Sequence, residues 1–195
     1  MIWAAFVVAV GLPIALAAAS PQLAFRDPLY IAAGFGGIVA LALMLVQPIL
    51  IGGYLPGPQA PRARRAHRWI GAVLVIAVLI HVGGLWIANP QDVVDALLLV
   101  SPTPFSVWGV IAMVTVFATA LLAALRRRLR LQPRTWRIVH LSLAAVIVVG
   151  TAVHATLIEG TMETISKAAL CVLVLAAAAT VTADVLVWRK QAASR

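Results

Sequence analysis

Six stretches of this chain are apolar over close to 20 residues or more: 2–20, 30–54, 68–88, 104–126, 136–157 and 163–187. That is the length an α-helix needs to cross a hydrocarbon core of ~30 Å. Lipid offers the backbone no hydrogen-bonding partner, so each such segment is expected to close its own bonds as a helix. The fold class predicted is an all-α integral membrane protein, a six-transmembrane-helix bundle forming a single domain over 1–195. Only 11% of the residues are charged and 63% are hydrophobic, against about 25% charged in ordinary soluble domains. No connection is long or polar enough for a soluble domain.

The formal net charge of +9 would suggest a nucleic-acid partner in a soluble chain. Here the basic residues sit in short connections, which makes them a topology signal, and no nucleic acid is expected. Arg62, Arg64, Arg65 and Arg68 lie between the second and third segments. Arg126, Arg127, Arg128, Arg130, Arg134 and Arg137 lie between the fourth and fifth. Arg189, Lys190 and Arg195 follow the sixth. The opposite side carries Arg26 and Lys167 with Asp27, Asp92, Asp95, Glu159 and Glu163. The arginine-rich side is therefore expected in the cytoplasm, with both termini inside. The arginine and alanine bias fits a bacterial inner membrane. Trp3, Trp69, Trp86, Trp108, Trp136, Trp188, Tyr30 and Tyr54 fall near segment ends, the level that indole and phenol rings prefer. Ala17-Ala18-Ala19 before Ser20 resembles a signal-peptidase site, but no basic residue precedes the first apolar run, so that helix is expected to be retained. Residues 89–103 mix apolar positions with Pro90, Pro102 and two aspartates, which predicts a short interfacial helix on the outer surface. Attraction to anionic lipid is a second role for the basic loops.

The four histidines fall into two pairs with one spacing: His67 and His81, then His140 and His154. Fourteen residues of α-helix turn through about 1400°, roughly 40° short of four full turns, and rise ~21 Å. Each helix thus carries two imidazoles on nearly one face, one toward each side of the membrane. A single membrane histidine serves well as a helix–helix hydrogen bonder; two equal spacings ask for a shared purpose. A zinc site built by protein needs three or four converging ligands, and two imidazoles ~21 Å apart on one helix cannot converge. Haem brings four equatorial nitrogens and needs only two axial ligands, and a bis-imidazole haem favours electron transfer over oxygen binding. Both helices start after arginine-rich loops and run the same way, so His67 should pair with His140 and His81 with His154. The expectation is two stacked haems between the third and fifth helices, with these four residues as axial iron ligands.

Gly71 and Gly150, one turn inward from His67 and His154, are expected to clear space for the porphyrin, as are Ala77 and Ala144. Arg64, Arg65, Arg68 and Arg137 flank the inner ligands and are candidates for haem propionates; lipid headgroups would use the same residues. Ser106, Thr151 and Lys167 are the outer candidates. Cys171, the only cysteine, excludes an intrachain disulfide and a CxxC redox pair and reads as a small packing residue. Asp184, the one acid in the last apolar run, is expected to pair with a loop arginine, with a proton-relay or quinone role as the alternative.

The stretches "RRAHRWIGAVLVIAVLIHVGGLW", "PFSVWGVIAM" and "RTWRIVHLSLAAVIVVGTAVHA" resemble the ferric reductase-like transmembrane domain family. That family includes the membrane parts of NADPH oxidases and ferric reductases and the haem subunit of methionine sulfoxide reductase systems. The resemblance spans roughly 60–160 and implies two b-type haems (haem b) and electrons passing outward. Oxidases of the family continue into a domain binding FAD and NADPH. This chain runs only seven residues past Trp188 and has no GxGxxG after a strand, so no FAD or NAD domain is expected in it. The expected function is a di-haem membrane cytochrome, the haem-carrying transmembrane subunit of an oxidoreductase. Its partners would be membrane lipid, a separate flavin reductase or quinol as donor, and a periplasmic acceptor protein. A self-contained quinol-linked ferric reductase or superoxide-handling cytochrome is the alternative. A non-redox scaffold or haem-handling protein is the third.

Overall fold

The computed structural model describes residues 1–57 and 59–193, with side chains through residue 185. Its helices are α1 Ile2–Ala18, α2 Pro28–Gly52, α3 Ala60–Ala88, α4 Pro90–Leu97, α5 Pro104–Leu125, α6 Pro133–Leu157 and α7 Thr164–Ala193. A 3-10 turn, Pro21–Phe25, joins α1 to α2. No strand occurs among the described residues. Among the described residues, five helices are long and apolar enough to cross a membrane: α2, α3, α5, α6 and the Thr164–Val185 part of α7. The chain is an integral membrane protein. The first apolar stretch is helical but spans 17 residues, ~25 Å at the α-helical rise. It stops short of residue 20 because Pro21 drives Ser20 into an extended conformation, φ −67° and ψ 128°. The side chain of Trp188 and those of the basic residues of the tail lie outside the described side chains.

The ends of the helices follow from local chemistry. Asp27 caps α2 by accepting from the Leu29 and Tyr30 N–H groups at 2.8 and 3.3 Å, with Pro28 pre-set at the first position. Gly53, at φ 71°, takes the left-handed turn that ends α2. Glu163 caps α7 through the Ile165 and Ser166 N–H groups at 2.8 and 2.7 Å. The third helix begins at Ala60, eight residues before its apolar run. Pro61 fits the first turn, and the alanines and arginines that follow are strong helix formers. His67 is therefore held inside α3, two turns from its start. The expected interfacial helix is α4, with Val93 buried on one face.

The helix α2 is the hub. Half of its most apolar window is buried (50%), against 11% for α3 and for α5. It packs against α3, α7 and α1, while α6 packs against α5 and α7. Its small residues allow this closeness: a methyl group added at Gly36 would lie 2.9 Å from the His81 backbone nitrogen. Membrane helices commonly associate through such small-residue contacts. Leu41, Leu45, Leu74, Val78, Val116, Val148, Leu170 and Val174 form the shared core. Trp69, Ile76, Leu79, Ile87, Val114, Leu121 and Val172 are exposed on the outside, the apolar surface a bilayer covers. By contrast α3 and α6, which carry the histidines, barely touch each other.

Candidate functional site: two layers of paired histidines

The rings of His67 and His140 face each other with centroids 6.0 Å apart and planes at 80°. Those of His81 and His154 are 6.4 Å apart at 77°. All four are half-buried. The residues expected to pair from helix direction are thus the ones brought together. The two layers are separated by the ~21 Å rise of 14 helical residues.

The outer layer is held by backbone. His81 Nδ1 lies 2.8 Å from the Ala33 carbonyl of α2, and His154 Nδ1 lies 2.8 Å from the Phe105 carbonyl of α5. A carbonyl can only accept, so each Nδ1 carries the proton and donates it. Each Nε2 is then the lone-pair nitrogen available to a metal. Both contacts are built in the same way. Four residues after each carbonyl stands a glycine, Gly37 or Gly109. A methyl added at Gly37 would lie 3.0 Å from His81 Nδ1, and one at Gly109 would lie 2.6 Å from His154 Nδ1 and Cε1. In a helix the Cβ leans toward the preceding turn, so removing it bares the carbonyl to the incoming ring. The Phe105 ring also packs edge-on against His154, centroids 5.8 Å apart.

The inner layer is held by side chains. The Gln47 carboxamide of α2 lies between His67 and Gly71. One of its polar atoms faces His67 Nδ1 and the His67 carbonyl (3.2 Å), and the other lies 2.8 Å from the Gly71 nitrogen. Assigning nitrogen to the first and oxygen to the second pairs it with both backbone groups. His140 stacks on Trp136 one turn earlier, centroids 5.1 Å apart and planes at 20°. The Arg126 guanidinium sits 5.1 Å above that indole. His140 Nδ1 is buried and has no hydrogen-bond partner.

The glycines expected beside the porphyrin face elsewhere. A methyl at Gly71 would meet the Gln47 carboxamide of α2 at 3.1 Å, and one at Gly150 would meet Ala112 and the Trp108 carbonyl of α5 at 3.3 Å. Both are used for packing against the neighbouring helix, not for clearance between α3 and α6. The clearing glycines that matter to the rings, Gly37 and Gly109, belong to α2 and α5 and escaped the sequence reading. Their signal was the register: Ala33 and Gln47 are 14 residues apart on α2, matching His67 and His81 on α3. Gln47 was itself visible as a lone amide in an apolar run. Arg64, Arg65, Arg68 and Arg137 all stay exposed at the inner end. On the outer side Ser106 donates to the Thr103 carbonyl at 2.6 Å, and the buried Lys167 ammonium donates to the Ile158 carbonyl at 2.5 Å. Asp184 accepts from the Tyr54 hydroxyl at 2.5 Å, so among the described residues its partner is a tyrosine, not the loop arginine expected. The phenol is thereby harder to ionise, chiefly because it donates to that carboxylate. Cys171 is buried in the core, as expected of a packing residue.

Fold and site together define a helical integral membrane protein that presents paired imidazoles in two layers. It belongs to the ferric reductase-like transmembrane family: the family model described as "Ferric reductase like transmembrane component" matches residues 36–151. That match runs from the middle of α2 to the last turns of α6 and takes in His67, His81 and His140. Membership implies a membrane electron-transfer function. No curated protein and no solved structure matches the chain.

Proposed function

We propose that the chain is a di-haem b-type membrane cytochrome that carries electrons from a cytoplasmic flavoprotein or quinol to an acceptor on the outer side. The observation that carries this reading is the pairing of imidazoles across α3 and α6 at 6.0 and 6.4 Å. Rings at that spacing could each bind one metal placed between them, at a metal–nitrogen bond of about 2 Å. Among the described residues no three His, Cys, Asp or Glu side chains cluster to hold a bare metal ion. The donor set therefore suits a group that brings its own equatorial ligands. When bound, haem would supply one-electron chemistry at iron. The chain's own part is to orient the imidazoles, fix the tautomer of the outer pair, exclude water with the apolar core, and space the two layers.

His67 and His140 would hold the inner haem, and His81 and His154 the outer one. Arg64, Arg65, Arg68 and Arg137 remain candidates for the inner propionates, and Lys167 is a candidate for the outer. In this reading α1 joins the five longer helices as a sixth span, and the arginine-rich end faces the cytoplasm of a bacterial inner membrane. The donor is proposed to be a separate protein or quinol. An acidic flavoprotein would dock on the basic loops, an attraction that salt screens.

A pyridine haemochrome assay against protein concentration is expected to give two haems b per chain. His67→Ala and His140→Ala should remove one and the same haem in redox titrations; His81→Ala and His154→Ala should remove the other. A haem-supplied protein with none bound, or loss of a common haem in His67→Ala and His154→Ala, would overturn the assignment.

A further inference from the structure

The two layers hold their imidazoles by different means. In the outer layer both Nδ1 atoms donate to backbone carbonyls, which no side-chain substitution at those positions removes. In the inner layer His140 Nδ1 is buried without a partner, and His67 Nδ1 faces one carboxamide. The register sharpens the contrast. Gln47 follows Ala33 on α2 by 14 residues, and Thr119 follows Phe105 on α5 by the same 14. Thr119 thus holds, opposite His140, the place that Gln47 holds opposite His67. Its hydroxyl, however, donates to the Thr115 carbonyl of its own helix at 2.7 Å. Gln47 is left as the one side chain that reaches the Nδ1 of a paired imidazole among the described residues.

An amide can present either a donor or an acceptor to the same point by turning over. With its nitrogen toward His67 Nδ1, Gln47 holds the proton on Nε2, the form that does not bind metal. With its oxygen there, it accepts from an Nδ1–H and frees Nε2. The Gly71 N–H and the His67 carbonyl, which only the first orientation satisfies, oppose that turn. The outer pair needs no such change.

We propose that Gln47 is the positioning residue of the inner layer, setting through His67 Nδ1 how firmly that imidazole binds the inner haem and how much electron density it donates. The inference rests on the haem reading above and adds that the inner haem is tuned by a replaceable side chain while the outer one is fixed by the main chain. A stronger acceptor at Nδ1–H makes the imidazole more basic. A more basic ligand favours the oxidised iron and lowers the reduction potential.

The test compares Gln47→Glu and Gln47→Leu in the full-length, haem-supplied protein, by optical redox titration and by electron paramagnetic resonance. The inner haem is the one that His140→Ala removes. Its potential should fall in Gln47→Glu, where a carboxylate accepts from Nδ1–H, and rise in Gln47→Leu, where nothing does, with the outer haem unmoved in both. Loss of the inner haem from Gln47→Leu alone, with Gln47→Glu holding two haems at a lowered inner potential, also supports the assignment. Shifts of the same sign in both variants, equal shifts of both haems, no shift, or loss of the inner haem from both would overturn it and leave Gln47 a packing residue. Wild-type protein without haem would instead defeat the reading of the histidines.

Discussion

At the scale of single residues, the outer imidazoles lie close against glycines of the neighbouring helices. Gly109 leaves room for the His154 ring by having no side chain, and an added methyl would sit 2.6 Å from Nδ1 and Cε1. The ring must then swing off the Phe105 carbonyl, or α5 must back away from α6. Overpacking of this kind costs on the order of 1–3 kcal/mol. At Gly37 the corresponding distance to His81 Nδ1 is 3.0 Å, so a few tenths of an ångström of movement suffices. Gly109→Ala is therefore expected to lose the outer haem, the haemochrome ratio falling from two toward one, while Gly37→Ala keeps both. Equal retention in the two variants would show that the ring has more freedom than its contacts indicate. The histidines themselves were legible in the sequence because their spacing exceeds any purely local explanation. Their supports were not, because a helical pattern names the residues sharing one face but not the neighbouring helix that face meets. Gly71 and Gly150 were placed in the gap for that reason, and they turned out to contact α2 and α5.

At the scale of helices, the apolar runs located the spans, and the polar flanks set where the helices end. Hydropathy started the third span at residue 68, yet α3 starts at Ala60, because helix propensity continues through arginines that hydropathy counts against a span. The start of α7 has a clearer chemical marker. Glu163 accepts from the Ile165 and Ser166 N–H groups, and those two bonds hold its carboxyl below the usual carboxylate range. A carboxyl whose folded value is depressed stabilises the fold above its unfolded value, and that contribution is lost as pH falls through the folded value. Glu163→Gln should accordingly lower thermal stability at neutral pH. The gap to wild type should narrow as the pH drops below the ordinary glutamate range, where wild type loses its cap as well. Melting curves of the detergent-solubilised pair across that range test this, and a gap that stays constant into acid would rule out the carboxylate as the source.

At the scale of the whole molecule, the question is whether α1, with only 17 residues, spans from one face to the other. Its two ends answer in structural terms. Near its start the Trp3 indole N–H donates to the Pro56 carbonyl at 3.2 Å, which ties it to the connection between α2 and α3 at the arginine-rich end. Just beyond its finish, Ala19, Ser20, Pro21 and Gln22 line one hollow together with Glu159 and Gly160 from the connection between α6 and α7 and Lys167 from the first turn of α7, at the opposite end. The helix therefore runs the height of the bundle, and its ~25 Å falls only a few ångströms short of a ~30 Å core. The ends also differ in charge: Arg62, Arg64, Arg65 and Arg68 with Arg126, Arg127, Arg128, Arg130, Arg134 and Arg137 at one, and Arg26 and Lys167 among five acids at the other. Basic connections stay in the cytoplasm, so residue 2 and residue 130 should share the inner face while residues 22 and 92 share the outer. The chain suits a thiol-labelling test because its sole cysteine, Cys171, is 2% exposed and leaves an introduced cysteine as the reactive one. Ile2→Cys and Arg130→Cys should resist a membrane-impermeant maleimide in intact cells and react once the membrane is opened. Gln22→Cys and Asp92→Cys should react from outside at once. Labelling of residue 130 from outside would reverse the charge argument, and labelling of residues 2 and 22 from one side would show that α1 turns back within the bilayer surface without crossing.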